Sequence, residues 1–276
     1  MYIGVDIGGT KTLVAVLDKR GVITESAKFP TPKIYENFLN ELNKAVASFE
    51  TKDFQAGGMG IPAVVFDRKT GEAVSFGNLP WKNVFVGQDV EQITNCPMAV
   101  ENDAKLAGLS EAMLLKDKYS KLLYVTVSTG IGIALIVDKK IDSNIGDAGG
   151  KGMLIEHRGK LQPWESFASG HAIVERYGKK AVDINDEATW QAICRDLSKG
   201  LIELIAMMEP DVIVIGGSVG THFNKYGKIL SETLKKYDLP LITIPPLIGA
   251  ARPEEAVIFG CYDFAKQEFA HAIAPR

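Results

Sequence analysis

Two stretches of the chain share one pattern of apolar and polar positions. In residues 2–17, an apolar run that contains a single acid, Asp6, reaches a turn and then continues as a second, β-branched run. Glycine and polar residues form the turn, namely Gly8, Gly9, Thr10 and Lys11. Two apolar runs on either side of a glycine-rich turn predict a strand, a turn and a second strand.

The same plan returns in residues 122–137. Hydroxyl and glycine residues occupy the second turn, namely Thr126, Ser128, Thr129, Gly130 and Gly132. An internal repeat of this kind predicts two related domains. We expect the two turns to face a shared cleft.

The remaining apolar periodicity predicts an early antiparallel group and then strands that alternate with helices. Strands are predicted at 21–25, 55–62, 64–67, 72–75, 98–101, 211–215 and 241–244. Helices are predicted at 33–50, 103–116, 165–177, 186–208, 224–235 and 254–271. Residues 141–158 lack periodicity, which is typical of a functional loop. The pattern predicts an α/β fold with mixed sheets. We expect domains at 1–118 and 119–276, with the last helix packing back on the first domain.

Composition narrows the classes of function. A net charge of −3 gives no electrostatic case for nucleic acid, and the apolar runs are too short to span a membrane. Three dispersed cysteines, Cys96, Cys194 and Cys261, are typical of reduced thiols in the cytoplasm and argue against structural zinc. Because Met1 leads directly into a predicted strand, we expect no signal peptide and a cytoplasmic protein.

The first turn has the chemistry of an anion site. Gly8 and Gly9 let backbone N–H groups approach a ligand, while Thr10 and Lys11 add a hydroxyl donor and a cation. Asp6 offers oxygen ligands to a metal ion. An ordinary tight hairpin is the alternative for one copy. The presence of a second copy favours two turns that close on one polyphosphate.

A second signal lies at residues 100–104, Val-Glu-Asn-Asp-Ala. Here a predicted strand ends in two carboxylates around an amide, at the start of a predicted helix. Asp103 could take a proton from a hydroxyl group, and Asn102 could hydrogen-bond the neighbouring hydroxyl. Helix capping by Asn102 or Asp103 is the alternative. We interpret Glu101 as structural.

In this order, the segments resemble the ROK family of sugar kinases, within the actin-like ATPase group. The matching segments are VDIGGTKT, GIPAVVFD, NLPW, VENDA, VSTGIG, WESFASGHAI and MEPDVIVIGGSVG. The resemblance covers essentially the whole chain. It implies two actin-like ATPase (ribonuclease-H-like) domains with mixed sheets around a central cleft.

The resemblance also implies roles for individual residues. Asp103 would be the catalytic base, and Asp6 would organise Mg²⁺, through water. The sugar would be bound by Asn78, Asn102, Asp103 and Glu165. ATP and its phosphates would be bound by Asp6, Gly8, Gly9, Thr10, Lys11, Thr129, Gly130, Gly132, Gly216 and Gly217. Phosphoryl transfer depends on such positioning and charge neutralisation more than on covalent help.

The chain departs from the family at three places. The family's second phosphate motif has glycine where Ser128 stands. Its Glu-x-Gly-His motif, whose Glu and His contact the sugar, is replaced by Gly150-Lys151-Gly152-Met153, and its Cys-rich zinc loop is missing. We therefore expect no zinc. The nearby pair Glu156 and His157 is interpreted as part of a solvated loop. For Trp81 two alternatives stand, a wall of the sugar pocket or core packing.

These observations predict an ATP-dependent hexose kinase that converts glucose to glucose 6-phosphate. The alternatives are a kinase for an N-acetylated amino sugar, mannose or fructose, and a non-catalytic sugar-binding regulator of the same family. A DNA-binding repressor is disfavoured, because the first strand begins at Tyr2 with no helix-turn-helix ahead of it. The expected partners are a small-molecule sugar and a nucleotide, without nucleic acid or membrane. ATP or polyphosphate as donor, and a monomer or a homodimer, remain open.

Overall fold

A computed structural model describes residues 1–68, 70–237, 241–252 and 255–270. The strands are β1 (Tyr2–Ile7), β2 (Lys11–Leu17), β3 (Ile23–Pro30), β4 (Ala56–Ile61), β5 (Ala63–Asp67), β6 (Glu72–Phe76), β7 (Lys82–Val84), β8 (Met98–Asn102), β9 (Lys121–Val127), β10 (Ile131–Val137), β11 (Lys140–Ile141), β12 (Leu154–His157), β13 (Lys160–Pro163), β14 (Val212–Gly216) and β15 (Leu247–Gly249). The helices are α1 (Tyr35–Ser48), α2 (Val86–Thr94), α3 (Asp103–Leu115), α4 (Gly149–Gly152), α5 (Glu165–Ala168), α6 (Gly170–Tyr177), α7 (Glu187–Met208), α8 (Gly217–Gly220), α9 (Phe223–Lys235) and α10 (Ala256–Glu268).

The two predicted hairpins, β1–β2 and β9–β10, each begin a five-stranded sheet. The first sheet has the order β3-β2-β1-β4-β8, and the second has the order β11-β10-β9-β14-β15. In both sheets the strands on one side of the first strand pair antiparallel, and those on the other side pair parallel. The internal repeat is therefore a repeat of topology, and the sheets are mixed as predicted.

The chain divides into two compact units. One unit contains Met1–Ser110 and the chain from Glu255 onward, and the other contains Glu111–Glu254. In the first unit α10 packs against β1 and β4. Gly58 permits this close approach, because a Cβ there would lie 2.2 Å from the Cys261 carbonyl oxygen. Each unit has its own apolar core of strand and helix side chains.

Local sequence explains where several elements begin and end. The Asp186 carboxylate accepts a hydrogen bond from Thr189 N at 2.9 Å and caps the N-terminus of α7. Residues 165–177 were predicted as one helix and form two. Ser169 has extended backbone torsions there, and its hydroxyl caps α6 by accepting from Ala172 N at 3.2 Å. A capping serine thus interrupts an otherwise helical pattern.

Some predicted elements are wrong. Residues 241–244 do not form the predicted strand; Ile242 and Ile244 instead pack against the core of their unit, and the strand is β15. Helix α2 was not predicted. The segment 141–158 is not all loop, because it contains the last residue of β11 and the whole of α4 and β12. The ends of the predicted helix 254–271 lie outside the described residues.

Among the described residues, no helix is both long enough and apolar enough to cross a membrane.

Candidate active site

Three parallel strands in the first unit end at the same sheet edge. Asp6 of β1 pairs with Gly60 of β4, and Gly60 pairs with Glu101 of β8. Asn102 and Asp103 follow Glu101 directly in the chain. The carboxyl ends of parallel strands are where open α/β sheets bind ligands. This edge brings together Asp6 and Asp103, the predicted metal organiser and the predicted base.

The carboxyl group of Asp6 is buried, and the residue as a whole is only partly exposed. Burial and the neighbouring charge of Asp103 raise its pKa to about 7, while Lys11 and Lys28 act in the opposite direction. Two carboxylates that repel each other in this way resist double ionisation unless a cation shares the site. Asp6 therefore fits an oxygen-preferring ion such as Mg²⁺, which usually keeps several water ligands. Within the described part of the chain, no group of three or more His, Cys, Asp or Glu gathers to hold a metal.

The first predicted phosphate turn is held from outside by Thr31. Within the turn, Gly8 N donates to the Lys11 carbonyl oxygen at 3.0 Å. The Thr31 hydroxyl donates to the Gly8 carbonyl oxygen at 2.8 Å, and Thr31 N donates to the Thr10 carbonyl oxygen at 3.0 Å. Thr10 and Lys11 remain exposed. Their side chains are therefore accessible to an anion.

Lys33 connects this turn to the loop that carries Asn78. Its Nζ donates to the Gly9 carbonyl oxygen at 2.9 Å and to the Asn78 carbonyl oxygen at 3.5 Å. The two segments also touch directly, since a Cβ on Gly9 would lie 2.5 Å from the Asn78 Cβ. Only glycine fits there. The structure therefore brings the predicted phosphate turn and the predicted sugar loop together.

The side chains of Asn102 and Asp103 both meet the start of α3. Asn102 Oδ1 accepts from Ala104 N at 3.0 Å and from Lys105 N at 3.4 Å, so Asn102 is the helix cap. Its Nδ2 donates to the Ala63 carbonyl oxygen at 3.4 Å. One oxygen of Asp103 accepts from Ala104 N at 2.8 Å, and the residue stays partly exposed. The helix start therefore fixes both side chains at the sheet edge.

Glu101 lies below this loop in an ion pair with Arg68. Arg68 Nε donates to Glu101 Oε2 at 2.9 Å, and Nη2 donates to Oε1. The same Oε1 accepts from Asn102 N at 2.7 Å. The Glu101 side chain is 3% exposed and that of Arg68 is 30% exposed. This bidentate contact ties the β5–β6 hairpin to the base of the Asn102–Asp103 loop and gives Glu101 the structural role that was predicted.

In the second unit, the strand register aligns residues from the two predicted ATP-binding segments. Thr126 of β9 pairs with Gly132 of β10 on one side and with Gly216 of β14 on the other. Gly217 follows with φ +78°, and a Cβ there would lie 2.6 Å from Thr126 Oγ1. A positive φ and this close approach both require glycine. The two predicted nucleotide segments of this unit are therefore neighbours.

The second predicted phosphate turn is closed by its own backbone. Ser128 N donates to the Gly130 carbonyl oxygen at 2.9 Å, and Gly170 N donates to the Ser128 carbonyl oxygen at 2.7 Å. Thr129 lies exposed at the tip. A serine is thus accommodated where the resembled family has glycine.

Glu165, predicted to bind the sugar, lies against this second turn. Its Oε2 accepts from Ile131 N at 3.2 Å. A Cβ on Gly130 would lie 2.7 Å from the same oxygen. Glu165 therefore contacts the second turn at Gly130 and Ile131.

Trp81 and His157 are both buried. Trp81 is 4% exposed and packs among Tyr35, Phe38 and Phe76, so the structure favours the core-packing alternative. His157 does not belong to a solvated loop. It is 8% exposed, because its ring stacks on Phe167 at a centroid distance of 4.1 Å and faces a carboxylate of α7.

Sequence reasoning missed Thr31, Lys33 and Arg68. None of them belongs to a recognisable motif, and each acts on residues far away in the chain. Thr31 and Lys33 lie between β3 and α1, and Arg68 follows β5 directly. Only the positive charges of Lys33 and Arg68 offered a signal, and charge alone does not identify a partner.

Comparison with known proteins identifies the class. Residues 2–268 match the model of the ROK family, so the chain belongs to the ROK family. It is 25% identical to a glucokinase of Streptomyces coelicolor, over 97% of this chain and 98% of that protein. It is 28% identical to an N-acetylmannosamine kinase of Vibrio cholerae, over 87% of this chain and 92% of that protein.

The fold agrees with solved structures of the family. A ROK-family glucokinase of Streptomyces griseus, solved with glucose and AMPPNP, superposes with a TM-score of 0.80 at 24% identity. The match covers 96% of this chain and 99% of that one. The predicted family, the two-domain actin-like fold and the enzyme class of sugar kinase are confirmed.

Proposed function

We propose that the protein is an ATP-dependent hexose kinase that transfers the γ-phosphoryl group of ATP to the 6-hydroxyl of glucose. The observation that carries this proposal is the position of Asp103. Its carboxylate lies at the carboxyl end of β8, close enough to Asp6 for its charge to raise the Asp6 pKa. A proton acceptor beside a metal-binding carboxylate is what transfer to an alcohol requires.

In this proposal Asp103 accepts the proton of the sugar hydroxyl, whose oxygen then bonds to the γ-phosphorus while the bond to ADP breaks. One carboxylate oxygen of Asp103 accepts a hydrogen bond from Ala104 N, which holds the side chain at the end of β8. Asn102 and Asn78 bind the neighbouring hydroxyls. Asn102 would do so through Nδ2, since its oxygen caps α3.

The phosphates would be held by the two turns. Gly8, Gly9, Thr10 and Lys11 form the first turn, and Thr129, Gly130 and Gly132 belong to the second. Mg²⁺ bound through Asp6 would neutralise charge that develops on the transferring group. Gly216 and Gly217, beside Thr126, would let the nucleotide lie against the backbone.

Glu165 would bind the sugar on the side of the second unit. Its carboxylate is already held by the Ile131 amide at 3.2 Å, which leaves its other oxygen for a hydroxyl group. The family's additional Glu and His are absent here, as Gly150 and Met153 show. Discrimination on that side of the sugar should therefore be weak, because fewer protein groups are left unpaired by an altered substrate.

A second sugar class has its own support. The N-acetylmannosamine kinase of Vibrio cholerae is 28% identical to this chain, slightly more than the glucokinase of Streptomyces coelicolor. An N-acetylated amino sugar is the second candidate substrate.

A steady-state assay of the purified protein tests the proposal. Glucose, mannose, fructose, glucosamine, N-acetylglucosamine and N-acetylmannosamine are compared, each with ATP or polyphosphate as donor. The expected result is the highest kcat/KM for glucose with ATP, with 2-position variants also accepted. A highest value for an N-acetylated sugar would favour the second candidate. Binding of sugar without turnover for every pair would favour the non-catalytic regulator.

A further inference from the structure

Glu165 is preceded by a tryptophan that is completely buried. Trp164 is 0% exposed, and its Nε1 donates to the Asp196 carbonyl oxygen on α7 at 3.2 Å. Its backbone N donates to the Met153 carbonyl oxygen at 2.8 Å. Trp164, which directly precedes Glu165 in the chain, is thus fixed both by its ring and by its backbone.

A glycine in helix α7, Gly200, leaves the space that the Trp164 indole occupies. A Cβ on Gly200 would lie 2.2 Å from Trp164 Cδ2 and 2.3 Å from Cε2. Gly200 lies four residues after Asp196, on the same face of α7. Glycine inside a helix is less stable than alanine by roughly 0.5–1 kcal/mol. Here the packing of the Trp164 indole accounts for it.

The Asp196 carboxylate also interacts with side chains of two neighbouring elements, α6 and β12. Arg176 Nη1 of α6 donates to Asp196 Oδ2 at 2.5 Å, and His157 Nδ1 of β12 lies 3.6 Å from Oδ1. His157 in turn stacks on Phe167 of α5. Helix α7 therefore holds the β12–β13 hairpin, α5 and α6 around residue 164.

The residues just before Glu165 correspond to the segment in which the resembled family has its zinc loop. Residues 158–163 form only a short turn and β13, and they contain no cysteine. The residues present do not fit a zinc site, and the described residues include no group of three or more possible ligands. Packing and polar contacts must hold the chain before Glu165.

We propose that Trp164, seated against Gly200 and Asp196, is a positioning residue that sets Glu165 against the second phosphate turn. This inference rests on the proposed function for the role of Glu165 in sugar binding. The geometry that it explains is independent of that function: Trp164 fixes the backbone, and the Ile131 amide, at 3.2 Å, fixes the carboxylate. Together these contacts fix the backbone before Glu165 and the carboxylate of its side chain.

Two variants disturb the contact without touching Glu165. Gly200→Ala forces the indole to move, and Trp164→Phe keeps an aromatic ring but removes the N–H donor. Both should raise the KM for glucose by about 10- to 100-fold, because small displacements of a substrate-positioning group have effects of this size. The KM for ATP should change by less than about twofold.

Gly227→Ala is the matched control in the same unit. Its Cβ would lie 2.4 Å from Phe223 Cε1, so it creates a similar clash within α9. It should lower Tm as the test variants do but leave the KM for glucose unchanged. If all three variants lowered Tm and none changed that KM, Trp164 would be structural only and the proposal would be overturned.

An activity-independent measurement separates this proposal from the proposed function. Hydrogen exchange of the Ile131 amide reports whether Glu165 still accepts its hydrogen bond. Gly200→Ala and Trp164→Phe should accelerate that exchange, and Gly227→Ala should not. Unchanged exchange in both test variants would overturn the positioning role. If exchange is accelerated but Glu165→Gln binds and phosphorylates sugar like wild type, the positioning stands and the assigned sugar contact fails.

Discussion

Gly9 and Asn78 are packed so closely that a Cβ on residue 9 would lie 2.5 Å from the Asn78 Cβ. Lys33 reinforces this contact by donating to the carbonyl oxygens of both residues. The predicted phosphate turn and the predicted sugar loop therefore cannot move independently.

Replacing Gly9 by alanine should disturb both substrates together. The new methyl group must displace the Asn78 loop or the turn, since the 2.5 Å separation is shorter than any ordinary contact. We expect kcat/KM to fall about 10- to 100-fold for both sugar and ATP, measured by steady-state kinetics. Gly146→Ala is the control, because a Cβ there meets no atom within 4 Å. An effect on only one substrate would contradict the coupling of these segments.

The ion pair between Arg68 and Glu101 should matter for stability. Arg68→Met leaves the buried Glu101 carboxylate without its bidentate partner. Breaking a fully buried pair costs about 3–5 kcal/mol, and partial exposure of Arg68 should reduce this to about 2 kcal/mol in the free energy of unfolding. Urea unfolding measures the loss. Lys44→Met, which breaks the exposed Lys44–Glu41 pair, should change stability by about 0.5 kcal/mol or less. Equal losses in the two variants would contradict the assigned importance of the buried pair.

His157 predicts a pH dependence of stability. Burial lowers its pKa below 6.5, and Lys199, Arg158 and Arg176 act in the same direction, while Asp196 opposes them. The unfolded chain then binds the proton more readily than the folded chain. Stability is therefore fully present above about pH 6.5 and is lost as pH falls through that value toward the lower folded pKa.

Urea unfolding between about pH 8 and about pH 5.5 tests this prediction. His157→Gln should reduce the loss of stability on acidification relative to wild type. His171→Gln is the control, because the His171 side chain is 65% exposed. The same slope in His157→Gln and wild type would show that His157 does not contribute.

Metal removal should distinguish two ions. A zinc-selective chelator should leave activity and Tm unchanged, since the family's zinc loop is missing and Met153 stands where the family has histidine. Removal of Mg²⁺ should abolish turnover, because Asp6 with water and phosphates suits this ion. Metal analysis of the purified protein provides the check. Stoichiometric, tightly bound zinc would contradict the prediction.

The sequence predicted the parts of the fold that local pattern determines. Strands β9 and β10, each a β-branched run beside a glycine-rich turn, occur where expected, and Asn102 caps α3 as one alternative proposed. By contrast, α2 has no side-chain cap at Phe85 and was missed. The run at 241–244 has strand composition, yet β14 pairs with Leu247–Gly249, which follows two prolines.

Long-range contacts explain what the sequence could not predict at the site. Arg68 meets Glu101 across 33 positions, and Lys33 meets Asn78 across 45 positions. No periodicity or spacing encodes such pairs. His157 was misjudged for the same reason, because its burial depends on Phe167 and on Asp196 of a distant helix. Motif positions were predictable, and the residues that hold the motifs in place were not.

The central claim is that Asp103 takes the proton of a sugar hydroxyl during phosphoryl transfer from ATP. The most direct test compares wild type with Asp103→Asn, using glucose, ATP and Mg²⁺ and following glucose 6-phosphate by phosphorus NMR. We predict glucose 6-phosphate with wild type and a loss of kcat of about 10²- to 10⁴-fold with Asp103→Asn, while ATP affinity measured by calorimetry is retained. Near-wild-type turnover by Asp103→Asn would contradict the account.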